Sequence, residues 1–181
     1  MVQLKFLLLF SFFLLLEINL TFAQEDWIKF KVDENLAFTV DVPGNMEKTS
    51  KSLKTAVGEL DVLTYAYQGE EEDANYLYLI NMVQYPEGSF PSDSTELIAD
   101  YLTNAIESSV EKVNGELLYS TPIENKFGKL FRIKYNGGDA IIKGKVYIRK
   151  DVFVSLQVFT VERKSLNDEM DIFLDSFRMK F

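Results

Sequence analysis

Apolar residues recur at helical spacing along one long stretch of the chain, residues 92–115. At about 100° per residue, one face of this stretch collects small and apolar side chains: Ile98, Leu102, Ala105, Ile106, Ser109 and Val113. The opposite face is polar and mostly acidic: Glu96, Asp100, Thr103, Glu107 and Glu111. The pattern predicts an amphipathic helix that begins after an Asp93 or Ser94 cap and ends at Asn114 and Gly115.

Alternation of apolar and polar residues predicts strands on both sides of this helix. The strand patterns before it cover residues 27–32, 36–42, 59–68 and 75–85, and those after it cover residues 116–120, 129–135, 140–149 and 152–161. Residues 46–55 are polar and lysine-rich, which suits an edge strand or a loop. Turn signals separate the strands, at Thr121-Pro122 and at Asn136-Gly137-Gly138-Asp139 for example, and such short connections predict antiparallel pairing.

A second helical pattern closes the chain. Ser165-Leu166-Asn167-Asp168 resembles a capping box, and four apolar residues follow at helical spacing: Met170, Phe173, Leu174 and Phe177. The order of elements predicts an α+β fold, a curved antiparallel sheet with a long central helix and a C-terminal helix packed on it as an α/β/α sandwich.

The first 23 residues have the pattern of an export signal. Lys5 precedes an apolar run at residues 6–16, and residues 21–23 approximate a small-residue cleavage site. An uncleaved membrane anchor is the alternative, but Glu17 and Asn19 interrupt the run before the roughly 20 apolar residues that a crossing needs. We expect residues 1–23 to be a signal peptide and residues 24–181 to be a single exported domain, periplasmic or extracellular, with no stable membrane insertion after cleavage.

The residue types limit the chemistry. The chain has no histidine and no cysteine, which excludes Ser-His-Asp triads, thiol nucleophiles, imidazole-ligated metals and redox disulfides. The acidic run of Glu70, Glu71, Glu72 and Asp73 lacks the ligand spacing of a calcium-binding EF-hand loop, and a solvated turn is the preferred interpretation. We therefore predict no enzyme activity, no cofactor and no metal site.

Charge is distributed unevenly. The net charge is −9, but residues 24–125 hold 20 acids and 6 bases whereas residues 126–150 hold 8 bases and 1 acid. Overall acidity argues against a nucleic-acid partner, because nucleic-acid affinity depends on Lys and Arg contacts to phosphates. The basic segment leaves an anionic partner of another kind open.

Two sets of residues are candidates for binding. Alternation places Arg132 and Lys134 on one face of a strand and Lys143, Lys145 and Arg149 on one face of the next, where they would form a positive patch. The preferred interpretation is that these bases shield the sheet or pair with the acidic face of the 94–114 helix. Docking of an acidic protein or a polysaccharide is the alternative.

Tyrosines form the second set. Tyr65 and Tyr67 share one strand face, Tyr76 and Tyr78 share a face of the next strand, and a hairpin would bring the two stripes together. Exposed tyrosines can bind sugars or a protein surface. Aromatic residues also stabilise sheets by cross-strand packing, so a structural role is the preferred interpretation.

Several short segments resemble those of a known family. These are the F-T-V-x-V-P segment at residues 38–43, Tyr65-Ala66-Tyr67, Tyr76-Leu77-Tyr78 and the closing residues 173–177. Together with the order of elements they resemble the PsbP-like fold, shared by the extrinsic photosystem II subunit, a Ran-binding import factor and many exported bacterial proteins. The resemblance implies an uncharacterised exported bacterial member that binds or helps to assemble other proteins.

The sequence thus predicts an exported, non-enzymatic module that binds another envelope or secreted protein. A small-ligand carrier, with a pocket between sheet and helix lined by Phe, Tyr and Met, is the first alternative. A hydrolase that uses carboxylates or a serine-lysine pair is the second, although no such pair can be named from the sequence.

Overall fold

The computed structural model describes residues 27–33, 37–55, 58–123 and 127–179 of the 181-residue chain. The predicted signal peptide, residues 1–23, lies outside the described residues. Neither helix in the described part of the chain has the length and hydrophobicity that a membrane crossing requires.

The described residues form ten strands and two α-helices. In chain order these are β1 (Ile28–Val32), β2 (Phe38–Val42), β3 (Glu47–Thr55), β4 (Gly58–Gln68), β5 (Leu77–Gln84), α1 (Thr95–Lys112), β6 (Glu116–Pro122), β7 (Gly128–Tyr135), β8 (Ala140–Arg149), β9 (Val152–Val161), α2 (Glu169–Ser176) and β10 (Arg178–Met179).

Seven of these strands form the main sheet, in the order β3-β4-β5-β9-β8-β7-β6, and every neighbouring pair is antiparallel. Helix α1 carries the chain from β5, near the middle of the sheet, to β6 at its far edge. The meander of β6 to β9 then returns to pair β9 with β5. The predicted antiparallel α+β class is confirmed.

Helix α1 covers β6, β7 and β8 on one face of the sheet. Its buried residues are Ile98, Leu102 and Ile106, as the periodicity predicted. They pack in a cluster with Phe131, Ile133, Ile142 and Ile148 of the sheet. Asn114 follows the helix in a left-handed conformation, with φ of 48°, which is a common way for a helix to end.

The opposite face of the sheet carries α2 and a second sheet of three strands, β1-β2-β10. Met170, Phe173 and Leu174 of α2 are buried in a cluster with Phe38, Tyr78 and Leu156. The two helices therefore lie on opposite faces, which makes the predicted sandwich.

Two local predictions differ from the structure. Thr121 and Pro122 continue β6 rather than form a turn; β6 is an edge strand, where a residue without an N–H is tolerated. The predicted capping box also fails. Helix α2 begins at Glu169 with no cap from Asp168, and the Met170 N–H donates to Asn167 Oδ1 at 3.2 Å.

Candidate functional site

The basic residues of β8 lie beneath α2. Lys143 and Lys145 are opposite Val158 and Leu156 of β9 in the sheet register, so they share the face that α2 covers. Lys143 Nζ contacts Asp171 Oδ1 at 2.5 Å, and Lys145 pairs with Asp175. The two lysine side chains are only 15% and 14% exposed, and a docking partner cannot reach them without displacing α2.

The remaining predicted bases take different positions. Arg132 Nη2 donates to Ser165 Oγ at 2.7 Å and to the Ser165 carbonyl at 3.2 Å. Lys134 and Arg149 make no ion pair within the part of the chain that the structure describes. The preferred sequence-based interpretation included pairing of the bases with the long helix. It is wrong for Lys143 and Lys145, because they lie on the other face of the sheet and pair with α2.

The four predicted tyrosines do not form one accessible stripe. Tyr65 and Tyr78 are buried in the core beneath α2 and the small sheet, and Tyr67 is partly buried against it. Tyr76 precedes β5 and turns to the other face, where its ring lies 6.3 Å from that of Phe159 and its hydroxyl contacts Tyr135. The prediction that Tyr76 and Tyr78 share a face is therefore wrong, because the strand begins only at Leu77.

Three backbone carbonyls and one carboxylate of the acidic turn after β4 accept hydrogen bonds from protein donors. The Lys164 ammonium donates to the carbonyls of Glu71, Glu72 and Asp73, and the Asp73 carboxylate accepts the Glu70 N–H at 2.7 Å. In the described residues, no three side chains of metal-binding type come together. The positively charged group that binds this turn is the Lys164 ammonium.

Three tyrosine hydroxyls lie in surroundings that disfavour their ionised form. Burial raises the pKa of Tyr101 and of Tyr135 well above the ordinary value, and hydrogen bonds with Tyr85 and Tyr76 respectively add to the effect. Burial, with the nearby Asp175 carboxylate, raises the pKa of Tyr147 to about 12. Ionisation of these hydroxyls makes the free energy of unfolding depend on pH in the alkaline range.

We expect the free energy of unfolding to fall as pH rises from about 10 to about 12. A raised pKa in the folded state means that the unfolded chain releases its protons first, so the stabilisation is complete below about pH 10 and lost above it. Because solvent screens the partly exposed Tyr147 hydroxyl, we expect it to contribute only about 1 kcal/mol to this fall in the free energy of unfolding. Urea unfolding across this range should lose part of its pH dependence in Tyr147→Phe but not in the exposed control Tyr119→Phe. Equal pH profiles for the two variants would contradict the assignment.

The two edges of the main sheet differ in chemistry. β3, at one edge, is fully exposed and carries Lys48, Lys51 and Lys54, which is a common protection against pairing with another chain. β6, at the other edge, is also exposed along its whole length. Its only charged residue is Glu116.

Three consecutive large apolar residues lie exposed on β6. Leu117, Leu118 and Tyr119 are 39%, 43% and 38% exposed. The register shifts between Leu117 and Tyr119, so Leu118 lies at a bulge and apolar side chains reach both faces of the edge. Sequence reasoning missed this surface, although the run Leu117-Leu118-Tyr119 breaks the apolar-polar alternation of the strand.

The neighbouring strand places two bases beside this edge. In the register of β6 with β7, Arg132 is opposite Tyr119 and Lys134 is opposite Glu116. We refer to the exposed residues 116–122 with Arg132 and Lys134 as the β6 edge.

Comparisons with known proteins find structural neighbours only. No family model matches the chain, and no curated protein matches it. Among solved structures, the chain is similar to the Saccharomyces cerevisiae Ran-binding protein Mog1p, with 13% identity and a TM-score of 0.45 over 84% of this chain and 95% of that one. A mutant of protein Mog1 gives 12% identity and a TM-score of 0.44 over 83% and 95%.

These comparisons correct the resemblance drawn from the sequence. An uncharacterised exported bacterial member of the PsbP-like family was expected. No family model supports that membership, and the similar solved structures are Mog1 proteins, one of them the Ran-binding protein of a yeast. The prediction of an exported bacterial member of the PsbP-like family is therefore wrong.

Proposed function

We propose that the chain is a non-enzymatic module that binds another protein by accepting an extended, acidic segment beside β6. The observation that carries the proposal is the exposed β6 edge, which has no lysine and carries three exposed apolar residues. The lack of histidine and cysteine supports a role without catalysis. The predicted signal peptide would place the partner in the cell envelope or outside the cell, and this stays a prediction.

An edge strand has backbone N–H and C=O groups that face away from the sheet, and a partner strand can pair with them. Such pairing supplies affinity through main-chain hydrogen bonds, whereas side-chain pockets supply specificity. Leu117, Leu118 and Tyr119 would provide the apolar contacts on the two faces of the added strand. The lysines of β3 disfavour pairing of a partner strand at the other edge.

The charged residues near the β6 edge favour a partner segment that is acidic. Arg132 and Lys134 lie on the strand next to β6, and Glu116 is the single acid of β6. A segment that carries both apolar and acidic residues would place its apolar side chains against Leu118 and Tyr119. Its carboxylates would lie near these two bases of a protein that is otherwise acidic, with a net charge of −9.

The test places a photo-crosslinking amino acid at position 118 on β6 or at position 53 on β3, in the protein exposed to its own cell extract. Leu118 and Leu53 are 43% and 41% exposed, so the two sites are matched in access. We expect a specific crosslink from position 118 only, mapped to an extended acidic segment. Crosslinks of equal yield from both edges would refute the proposal.

We expect Leu118→Lys to weaken binding of that partner by about tenfold or more, because central apolar contacts dominate interface energies. Leu53→Lys introduces the same charge on the other edge and should leave binding unchanged. Amide hydrogen exchange of residues 116–122 should slow when the partner binds. Unchanged exchange there would exclude strand addition even if a partner is found.

A further inference from the structure

A cavity of about 220 Å³ opens between the beginning of α1, the loop that leads into it and the end of β8. Four apolar residues form most of its lining: Phe90, Ile98, Phe127 and Ile148. Ser92 and the turn that follows β8 complete it. The cavity lies between sheet and helix, where the sequence predicted a pocket for the carrier alternative. Its aromatic residues are phenylalanines, and neither Tyr nor Met lines it among the described residues.

The walls of this cavity are held in place by hydrogen bonds and ring contacts. The Asp151 carboxylate accepts two backbone N–H groups of the loop that carries Phe90, at 2.9 and 2.8 Å. The Phe90 ring lies 4.9 Å from that of Tyr101 on α1. On the other side, Ile148 donates its N–H to the Phe127 carbonyl at 2.9 Å. The cavity is therefore formed before any ligand enters.

The surface that a ligand would meet in this cavity is almost wholly apolar. Ile148 packs in the cluster beneath α1, so strand alternation turns the Arg149 side chain to the opposite face of the sheet. There Arg149 is opposite Val152, which belongs to the core beneath α2. Within the part of the chain that the structure describes, no buried side-chain nitrogen or oxygen lacks a hydrogen-bond partner. A ligand in the cavity would therefore be stabilised by removal of its apolar surface from water and not by charge pairing.

We infer that this cavity binds a small neutral aromatic compound, a single ring with at most a short hydrocarbon arm. An apolar cavity of roughly 150 Å³ holds a benzene molecule, so about 220 Å³ accommodates a ring with such an arm. Phe90 and Phe127 provide aromatic packing for the ring, and Ile98 and Ile148 provide aliphatic walls. Water has few polar partners in an apolar cavity, so its displacement by a ring is favourable. The site shares no residue with the β6 edge, so either proposal can fail without the other.

The test is titration of the purified protein with toluene, followed by backbone NMR shifts. Benzoate is the charged comparison with the same ring, and 1-hexanol is a neutral chain without a ring. We expect saturable toluene binding with shift changes centred on Phe90, Ile98 and Ile148. Benzoate should bind about tenfold more weakly or worse, because burial strips water from its carboxylate, and 1-hexanol should also bind more weakly than toluene. Absence of shift changes at these residues, or binding of benzoate or 1-hexanol as tight as that of toluene, would overturn the inference.

Ile148→Phe should abolish toluene binding and leave the melting temperature unchanged or raised, because the added ring fills the cavity. Ile142→Phe is the matched control. Ile142 is buried on the same face of β8, about 20 Å from Ile148 along the strand, and it lies outside the cavity lining. The control should keep toluene binding but lower the melting temperature, because the added volume overpacks a filled core. Equal losses of melting temperature in the two variants, or unchanged toluene affinity in Ile148→Phe, would contradict the inference.

Discussion

Reversing two lysines, Lys143→Glu together with Lys145→Glu, is expected to lower the free energy of unfolding by about 3 kcal/mol or more. Each lysine is mostly covered and pairs with an aspartate of α2. Reversal would place two partly buried carboxylates against Asp171 and Asp175. It would also remove lysine stems that pack beneath the helix. Urea unfolding followed by circular dichroism measures the loss.

A charge swap separates this structural role from a docking role. Adding Asp171→Lys and Asp175→Lys to the reversed protein restores opposite charges across the same contacts, and we expect most of the lost stability to return. Arg149→Glu is the matched control, because Arg149 belongs to the same predicted patch but is exposed and makes no ion pair in the described residues. A swap that recovers nothing would mean that these ion pairs do not hold α2.

Asn75→Ala is expected to destabilise the protein by about 2–3 kcal/mol, because it breaks a buried polar network. Asn75 Nδ2 donates to Tyr78 Oη at 2.8 Å, to Asn167 Oδ1 at 3.0 Å and to Glu169 Oε2 at 3.3 Å. Its own Oδ1 accepts from Asn167 Nδ2 at 3.0 Å. The network ties the segment before β5 to the beginning of α2.

The control for this variant is Asn104→Ala, at an exposed position of α1. Alanine favours the helix there, so we expect stability to stay the same or to rise slightly. Thermal unfolding of both variants gives the comparison. A loss below about 0.5 kcal/mol in Asn75→Ala would mean that water replaces the network at no cost.

The position of β6 at an edge of the sheet could not be predicted from local sequence patterns. Residues 116–120 read as a strand, and the structure extends it to Pro122. Whether a strand lies at an edge depends on which strands pair across long separations, here β5 with β9. Alternation cannot predict that pairing, so the exposure of Leu117, Leu118 and Tyr119 was not foreseen.

A cavity of about 220 Å³ between α1 and the sheet could not be predicted from local patterns either. Its lining comes from four separated segments: the loop before α1, α1 itself, the residue before β7, and the end of β8 with the residue that follows it. Phe90 and Ile148 read simply as apolar residues in the sequence. Only the path of the loop, fixed by Asp151, brings them around one space.

The sequence by itself determined the elements of this protein: the long helix with its buried Ile98, Leu102 and Ile106, the antiparallel strands, and the closing helix. These follow from local periodicity, because a side chain's face depends only on its position within its own helix or strand. The tertiary structure decided what covers each face. Lys143 and Lys145 became partners of α2 rather than a docking patch, and β6 became an open edge, because burial and charge pairing depend on contacts between residues far apart in the chain.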